Sequence, residues 1–140
     1  MWLLEGFMKA TWLQATTEGG SRFQELDIQI DITDPSGLLA AFKSKRYVAN
    51  AVRFVHLLEG FVQDWHKARS VNLVIILAGT LKMETSQEWR CFGAGEIILV
   101  DDRSGQGHRL PACKGCTCTR SRIRAGASPS RRRAPRPRLC

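Results

Sequence analysis

The run Asn72–Thr80, with the sequence NLVIILAGT, is the feature that most constrains the fold. Its side chains before Gly79 are almost all branched or bulky and apolar, which favours extended backbone in a buried position. A glycine after such a run is typical of a turn. We therefore predict a central β-strand that is buried on both faces and ends at Gly79, with the chemically important residues on either side of it.

Several other short runs have the character of strands, and no segment has a convincing long helical pattern. Two of them are separated only by Glu18-Gly19-Gly20, which predicts a hairpin. Short strands at even spacing favour an antiparallel sandwich or a small barrel. The predicted strands are Thr11–Thr16, Ser21–Ile30, Ala49–Gly60, a pair within Thr80–Phe92 and Glu96–Asp101.

The residues before the central strand resemble the first sequence motif of the cupin family, GxxxxxHxHxxxExxxxxxG. The corresponding stretch is Gly60-FVQDW-His66-K-Ala68-RSV-Asn72-LVIILA-Gly79. Ala68 stands at the position of the second histidine of the motif, and Asn72 stands at the position of its glutamate. The first motif is therefore present in spacing but degenerate in its metal ligands.

The residues after the central strand resemble the second cupin motif. In Arg90–His108, Gly95 opens a strand and His108 occupies the last ligand position, although the loop before it is two residues longer than usual. Together the motifs span about residues 8 to 110 and resemble small single-domain, type-2 cupins. The resemblance implies an all-β jelly-roll barrel, also called a double-stranded β-helix.

Cupins bind Fe, Mn, Ni or Zn through three histidines and one carboxylate, and the resemblance implies such a site here. Only His66 and His108 match its ligands, so we expect weak binding of a divalent metal. A neighbouring carboxylate is a candidate further ligand, from Asp64, Asp101 or Asp102. The alternative is that both histidines form hydrogen bonds at the mouth of the barrel and bind no metal.

The same resemblance predicts a pocket that binds a small molecule, lined by Trp65, His66, Asn72 and His108. If the protein is an enzyme, metal-dependent isomerase-like or dioxygenase-like chemistry is expected there. No catalytic residue is assigned, and no organic cofactor is expected. His56 lies in the middle of a predicted strand, so we interpret it as a satisfied or surface histidine.

Charge divides the chain sharply near its end. Residues 1 to 108 hold 11 Lys and Arg against 13 Asp and Glu, whereas residues 109 to 140 hold ten basic residues and no acidic one. This composition predicts a disordered basic tail rich in Arg, Pro, Ser and Cys (111–140). The resemblance to small cupins implies a cupin-like domain (8–110) that is preceded by an extension (1–7). This division leaves the barrel without its last strand. A shifted reading frame after His108 is an alternative explanation of the tail.

The tail supports a second class of function, a non-catalytic scaffold or a nucleic-acid-associated protein. Its arginines predict nonspecific nucleic-acid contact, but no aromatic side chain is interleaved with them for base stacking. Four thiols, Cys113, Cys116, Cys118 and Cys140, lack the spacing of a zinc finger. An unpaired barrel edge favours a homodimer. No apolar run approaches the ~20 residues of a membrane helix, and no signal peptide is evident, so a cytoplasmic location is expected.

Overall fold

The computed structural model describes residues 3–4, 6–30, 32–33, 42–124 and 130–131, and of the three two-residue segments it describes the backbone alone. Within these ranges the chain contains no helix and forms thirteen strands. None of the described residues belongs to a helix long and apolar enough to cross a bilayer. The strands are β1 (Leu3–Leu4), β2 (Phe7–Ala15), β3 (Ser21–Gln29), β4 (Ile32–Thr33), β5 (Phe42–Lys43), β6 (Ala49–Leu57), β7 (Gln63–His66), β8 (Asn72–Glu84), β9 (Trp89–Gly93), β10 (Ile97–Asp101), β11 (His108–Leu110), β12 (Cys116–Ile123) and β13 (Ser130–Arg131).

Strand β8 is the centre of the main sheet, as predicted. Its first part pairs antiparallel with β10 on one side and with β12 on the other. Its second part pairs with β9 and, through Glu84, with β11, which in turn pairs with β7. The sheet continues from β10 to β2, β3 and β13, and from β12 to β6. The predicted all-β architecture is confirmed, with strands of these branches enclosing one cavity.

Gly79 bends the central strand instead of ending it. Its φ angle is 76°, in the left-handed region that favours glycine. A Cβ atom at this position would overlap the backbone carbonyl of Gly115, which lies just before β12. The predicted end of the strand at Gly79 is therefore wrong, because a strand glycine at this close approach permits a bend without breaking the strand.

The apolar side chains form one core on each face of the sheet. The first contains Val74 and Ile76 of β8, with the fully buried Leu13 and Ile98. The second lies on the opposite face, where Leu73 and Ile75 of β8 pack against a separate buried group. Alternation along β8 thus supplies both cores, which confirms burial on two faces for this part of the strand. Beyond it, Leu77 is exposed.

The predicted hairpin and strand pair are both present. β2 and β3 pair antiparallel along their whole length around the turn that contains Gly19 and Gly20. β8 and β9 pair from Thr80 to Glu84, and the turn between them is closed where the amide of Thr85 donates to the carbonyl of Glu88 at 2.7 Å. Both elements are predictable because their signals are local: apolar alternation in the strands and, for the first hairpin, glycines in the turn.

The expectation that residues 111–140 form a disordered tail is wrong for Cys116–Ile123. This segment is β12, and it lies between β6 and β8 with antiparallel pairing to both. It supplies the strand that we expected to be missing. Its alternate residues Cys116 and Cys118 are buried in the first core, and Ile123, after a register shift, is buried in the second, despite the basic composition. Residues 130–131 form β13, and the predicted disorder of residues 125–129 and 132–140, which include four of the eight arginines of the tail and Cys140, lies outside the described residues.

Candidate functional site

The two histidines singled out in the sequence lie in contact. Strands β7 and β11 pair so that His66 is directly opposite His108. Their ring centroids are 4.4 Å apart and the ring planes meet at 61°. Gly107 permits this approach: its φ is 76°, and a Cβ atom there would overlap the backbone carbonyl of His66. A glycine immediately before His108 is therefore a condition for the histidine pair.

His108 is held from behind by a buried carboxylate. Its Nδ1 lies 2.6 Å from Oδ2 of Asp102, and the same oxygen accepts the hydroxyl of Ser21 at 3.1 Å. Asp102 is 0% exposed and His108 is 4% exposed. Because a carboxylate oxygen accepts, Nδ1 of His108 carries the proton, and in the neutral ring Nε2 is then an acceptor. This contact fixes both the orientation and the tautomer of the imidazole.

His66 is fixed in a similar way by its own strand. Its Nδ1 lies 2.7 Å from the backbone carbonyl of Asp64, which accepts only, so Nδ1 donates. Burial lowers the pKa of His66 below 6.5, and the charges of His108 and Arg120 act in the same direction against the bond to Asp64 and the charge of Asp102. The neutral form is thus favoured at pH 7, with Nε2 again an acceptor.

The pair lines a cavity of about 860 Å³ between the strand branches. This volume lies in the range of small-molecule sites. Asn72 also lines it, as predicted, although its amide donates to the carbonyl of Ser70 at 2.9 Å. The wall opposite the solvent is apolar and is formed by Val74, Leu81, Met83, Ile98, Val100 and Leu110.

Trp65 does not belong to the lining of this cavity, so the prediction that it is a pocket residue is not supported by the geometry. The pairing of β7 and β11 shifts register between His108 and Leu110. With this irregularity, Gln63 and His66 both face the cavity, and the ring of Trp65 instead lies beneath the guanidinium of Arg109, 5.5 Å away. Strict alternation could not be assumed on a strand this short.

The donors do not fit the metal centre that the sequence resemblance implies. Among the described residues no group of three or more His, Cys, Asp and Glu side chains is placed to hold a metal ion. Ala68 packs against the core where the motif has a histidine. Asn72, whose amide nitrogen donates to the carbonyl of Ser70, offers only a neutral amide oxygen where the motif has a carboxylate. The two imidazoles are therefore the only part of the expected ligand set found in the described residues.

Each carboxylate considered as a further ligand has another structural partner. Asp64 accepts the amide of Trp65 at 2.8 Å. Asp101 accepts from the indole of Trp12 at 3.2 Å and from Arg103 at 2.8 Å. Asp102 accepts from Nδ1 of His108, so it lies on the opposite side of the ring from Nε2, the nitrogen available to a metal.

The thiols of the predicted tail do not form a zinc site within the described residues. Cys116 and Cys118 are buried in the first core. Burial raises the pKa of Cys116 to about 12, which keeps this thiol protonated and unreactive at neutral pH. Cys113 donates instead to the carbonyl of Thr80 at 3.0 Å. His56 is exposed and its ring contacts the hydroxyl of Thr117 at 2.8 Å, which agrees with its interpretation as a surface histidine.

No family model and no curated protein matches the chain. Similar solved structures include a cupin 2 conserved barrel domain protein from Rhodopseudomonas palustris (16% identity, 89% of this chain and 77% of that one, TM-score 0.43). A cupin-2 domain protein from Rhodospirillum rubrum is also similar (10% identity, 95% and 80%, TM-score 0.42).

A further similar structure is a conserved protein of unknown function from Streptococcus pyogenes, at 18% identity over 69% of this chain and 82% of that one, with a TM-score of 0.46. The three TM-scores are all below 0.5, so the description of the fold rests on the strand pairing of this chain.

Sequence reasoning missed two parts of the site. Ser21 was treated only as the start of a strand, and its contact with Asp102 joins residues 81 positions apart. The basic side chains of β12, Arg120 and Arg122, were assigned to a disordered tail, yet they line the cavity. The alternating sequence from Cys116 to Ile123 was the available signal for the strand, and the basic composition obscured it.

Proposed function

We propose that this protein binds a small organic molecule in the cavity and contacts it through the histidine pair. The main support is the contact between His66 and His108, whose ring centroids are 4.4 Å apart on the wall of a cavity of about 860 Å³. Both Nδ1 atoms are occupied by protein oxygens. The Nε2 atoms are consequently the nitrogens available to a ligand, and both are acceptors when the rings are neutral.

Such a pair is suited to proton transfer. One neutral imidazole can take a proton at Nε2 from a bound hydroxyl or from a carbon next to a carbonyl. The other imidazole, when it is protonated at Nε2, can give its proton to a second atom of the ligand, and exchange with solvent then restores both rings. Asp102 accepts from Nδ1 of His108 and thereby keeps Nε2 of this ring available to accept a proton. The lowered pKa of His66 makes its protonated form the better acid. Isomerase-like chemistry therefore suits the site better than dioxygenase-like chemistry, which needs the fuller set of metal ligands.

A weak divalent metal remains a second proposal, favoured by the anchoring of both imidazoles. Metal-binding histidines commonly donate Nδ1 to a carbonyl or carboxylate, as His66 and His108 do. If a metal binds, these two Nε2 atoms hold it and water or ligand completes its shell. A Lewis acid of this kind would polarise a ligand oxygen.

The proposal is tested on the full chain by NMR observation of the histidine rings during a screen of small acids, alcohols and amides. We expect hits that shift the ring signals of His66 and His108 together, and loss of their binding by about tenfold or more in His66→Gln. His56→Gln is the control for the removal of an imidazole, because His56 also borders the cavity but bonds to Thr117 and is not part of the pair. Hits that leave the ring signals of the pair unchanged contradict the proposal.

The metal alternative is separated by titration with Zn²⁺ in the same samples. Stoichiometric binding that both His66→Gln and His108→Gln abolish, and that His56→Gln does not, supports a two-histidine metal site. Zinc uptake that is equal in all four proteins rejects it.

A further inference from the structure

The outer wall of the cavity is built from arginines that face one another. On β12, Arg120 and Arg122 lie at alternate positions, on the same face of the strand as Cys118, and all three line the cavity. The register places Arg120 directly opposite Arg53 of β6, and Arg122 beside Asn72 of β8. Arg53, Arg120 and Arg122 all line the cavity, and we call them the arginine rim.

The rim carries positive charge that none of the described side chains neutralises. Lys67 and Arg69 add two further basic side chains to the lining, and none of the described lining residues is Asp or Glu. Within the described part of the chain, no ion pair involves any of these five side chains. Like charges directly opposite each other on neighbouring strands are destabilising. The pairing of Arg53 with Arg120 is therefore a cost to the fold that an external anion would relieve.

The rim is close to the histidine pair. The charge of Arg120 contributes to the lowered pKa of His66, and both side chains line the same cavity. The deeper wall, which includes Leu81, Met83 and Val100, is apolar. An occupant that satisfies all three surfaces has an oxyanion for the rim, a hydrogen-bonding atom for the imidazoles and an apolar body for the wall.

We propose that the cavity takes a small organic oxyanion, a carboxylate or phosphate, whose charged group is held by Arg53, Arg120 and Arg122. This inference rests on the proposed function and specifies its ligand class. Guanidinium groups bind both oxyanions through paired hydrogen bonds. A nucleic acid fits less well, because these arginines face a cavity of about 860 Å³ and not an extended surface.

The test uses the full chain and probes that share an apolar phenyl group. Phenylbutyrate and phenyl phosphate are the carboxylate and phosphate probes, and phenylbutyramide is the neutral match of phenylbutyrate. Calorimetry gives the affinities, and the ring signals of His66 and His108 report whether each probe enters the cavity. We expect at least one anion to bind about tenfold more tightly than the amide, with the preference falling as salt is added. The tighter of the two anions identifies the oxyanion class.

The variants locate the preference. In the double variant Arg120→Gln, Arg122→Gln, we expect the affinity for the anion to fall to that for the amide, with the affinity for the amide unchanged. Arg124→Gln is the matched control, since Arg124 is exposed, follows the same strand and is not part of the lining. This control should retain the full preference.

The possible failures are distinguishable. Equal binding of anion and amide to the natural protein, or a preference that survives in the double variant, overturns the oxyanion inference alone. If none of the probes shifts the ring signals, the inference and the proposed function both fail. If a single-stranded oligonucleotide binds more tightly than the anions and displaces them, the ligand is a nucleic acid and the oxyanion inference is overturned.

Discussion

The two ends of the cavity differ in how completely the protein satisfies their polar groups. At the inner end, Ser21 and His108 both donate to Asp102, and all three residues are buried. At the outer end, Arg53 faces Arg120 across two strands, with no carboxylate in the described lining. The inner end pairs its carboxylate with two donors of the protein and leaves only Oδ1 of Asp102 without a hydrogen bond. The rim has no counter-charge of its own among the described lining residues.

This difference separates structural polar groups from groups available to a ligand. A buried carboxylate without its donors is costly, so removal of either partner at the inner end should destabilise the fold. An exposed arginine that faces another arginine contributes no attraction, so its removal should stabilise the fold slightly. Stability measurements can therefore assign the two ends to different roles without knowledge of the ligand.

The largest expected effect follows from the substitution Gly107→Ala. The added Cβ would overlap the carbonyl of His66 and force a left-handed backbone on alanine. We expect a loss of about 3 kcal/mol in the free energy of unfolding, measured by urea denaturation, and loss of the ring-to-ring contact of the histidines in NMR spectra. Gly95→Ala is the control, since its φ is also positive at 85° but its Cβ would meet no atom within 4 Å. Equal losses in the two variants would show that strain alone, and not the close approach, is responsible.

A somewhat smaller effect is expected for Asp102→Asn, which keeps the shape of the side chain and removes its charge. The loss of charge-assisted bonds to Ser21 and His108 should lower the free energy of unfolding by about 2 kcal/mol and change the proton position on His108, as detected by nitrogen NMR. Asp101→Asn is the control, because Asp101 pairs with Arg103 near the surface. A similar loss of unfolding free energy in both variants would show that Asp102 contributes no more to stability than a carboxylate near the surface.

The change of stability with pH should be smaller than the effects of these two substitutions, and we attribute it to His66. Burial lowers the pKa of this imidazole below 6.5, with His108, Asp102 and Arg120 as the charged groups that act on it. The unfolded chain then binds the proton more readily than the folded one, so stability is retained above pH 6.5 and declines as the pH falls through and below that value. His66→Gln should flatten this part of the curve in urea denaturation at several pH values. An unchanged slope would assign the dependence to other groups.

The smallest effect is a gain at the rim. Arg120→Gln removes the repulsion with Arg53 and should raise the free energy of unfolding by about 0.5 kcal/mol in ligand-free protein at low salt, with less gain at high salt. Arg124→Gln, which removes an equal charge beyond the end of the strand, should leave it near its original value. A loss of stability in Arg120→Gln would mean that this guanidinium supports the fold, and the comparison between the two ends would not hold.

The parts of the fold that were predictable have local signals. Alternating apolar residues in Ser21–Gln29 and the glycines before them mark a hairpin, and the run after Asn72 marks the central strand. The spacing of the two motifs also predicts that His66 and His108 belong to one site. The exact end of the central strand was missed, because a bend at Gly79 and a stop at Gly79 have the same local sequence.

The predictions that failed depended on neighbours far away in the chain. Trp65 lies beside His66 in sequence, but an irregular pairing with β11 turns it toward Arg109. The segment Cys116–Ile123 has a composition typical of disorder, yet two partner strands satisfy its backbone groups and its alternate side chains fill the interior. Composition estimates what a segment can bury alone, and it carries no information about the strands that will cover it.

The sequence by itself determined which segments are extended and which residue types are available for chemistry. Hydrophobic alternation and glycine conformations act within a few residues, so they need no tertiary information. Only the tertiary structure decided that Asp102 lies behind His108 and that Arg53 faces Arg120. These placements follow from strand register, which is set by the packing of the whole sheet, and a shift of one residue would turn each side chain to the other face.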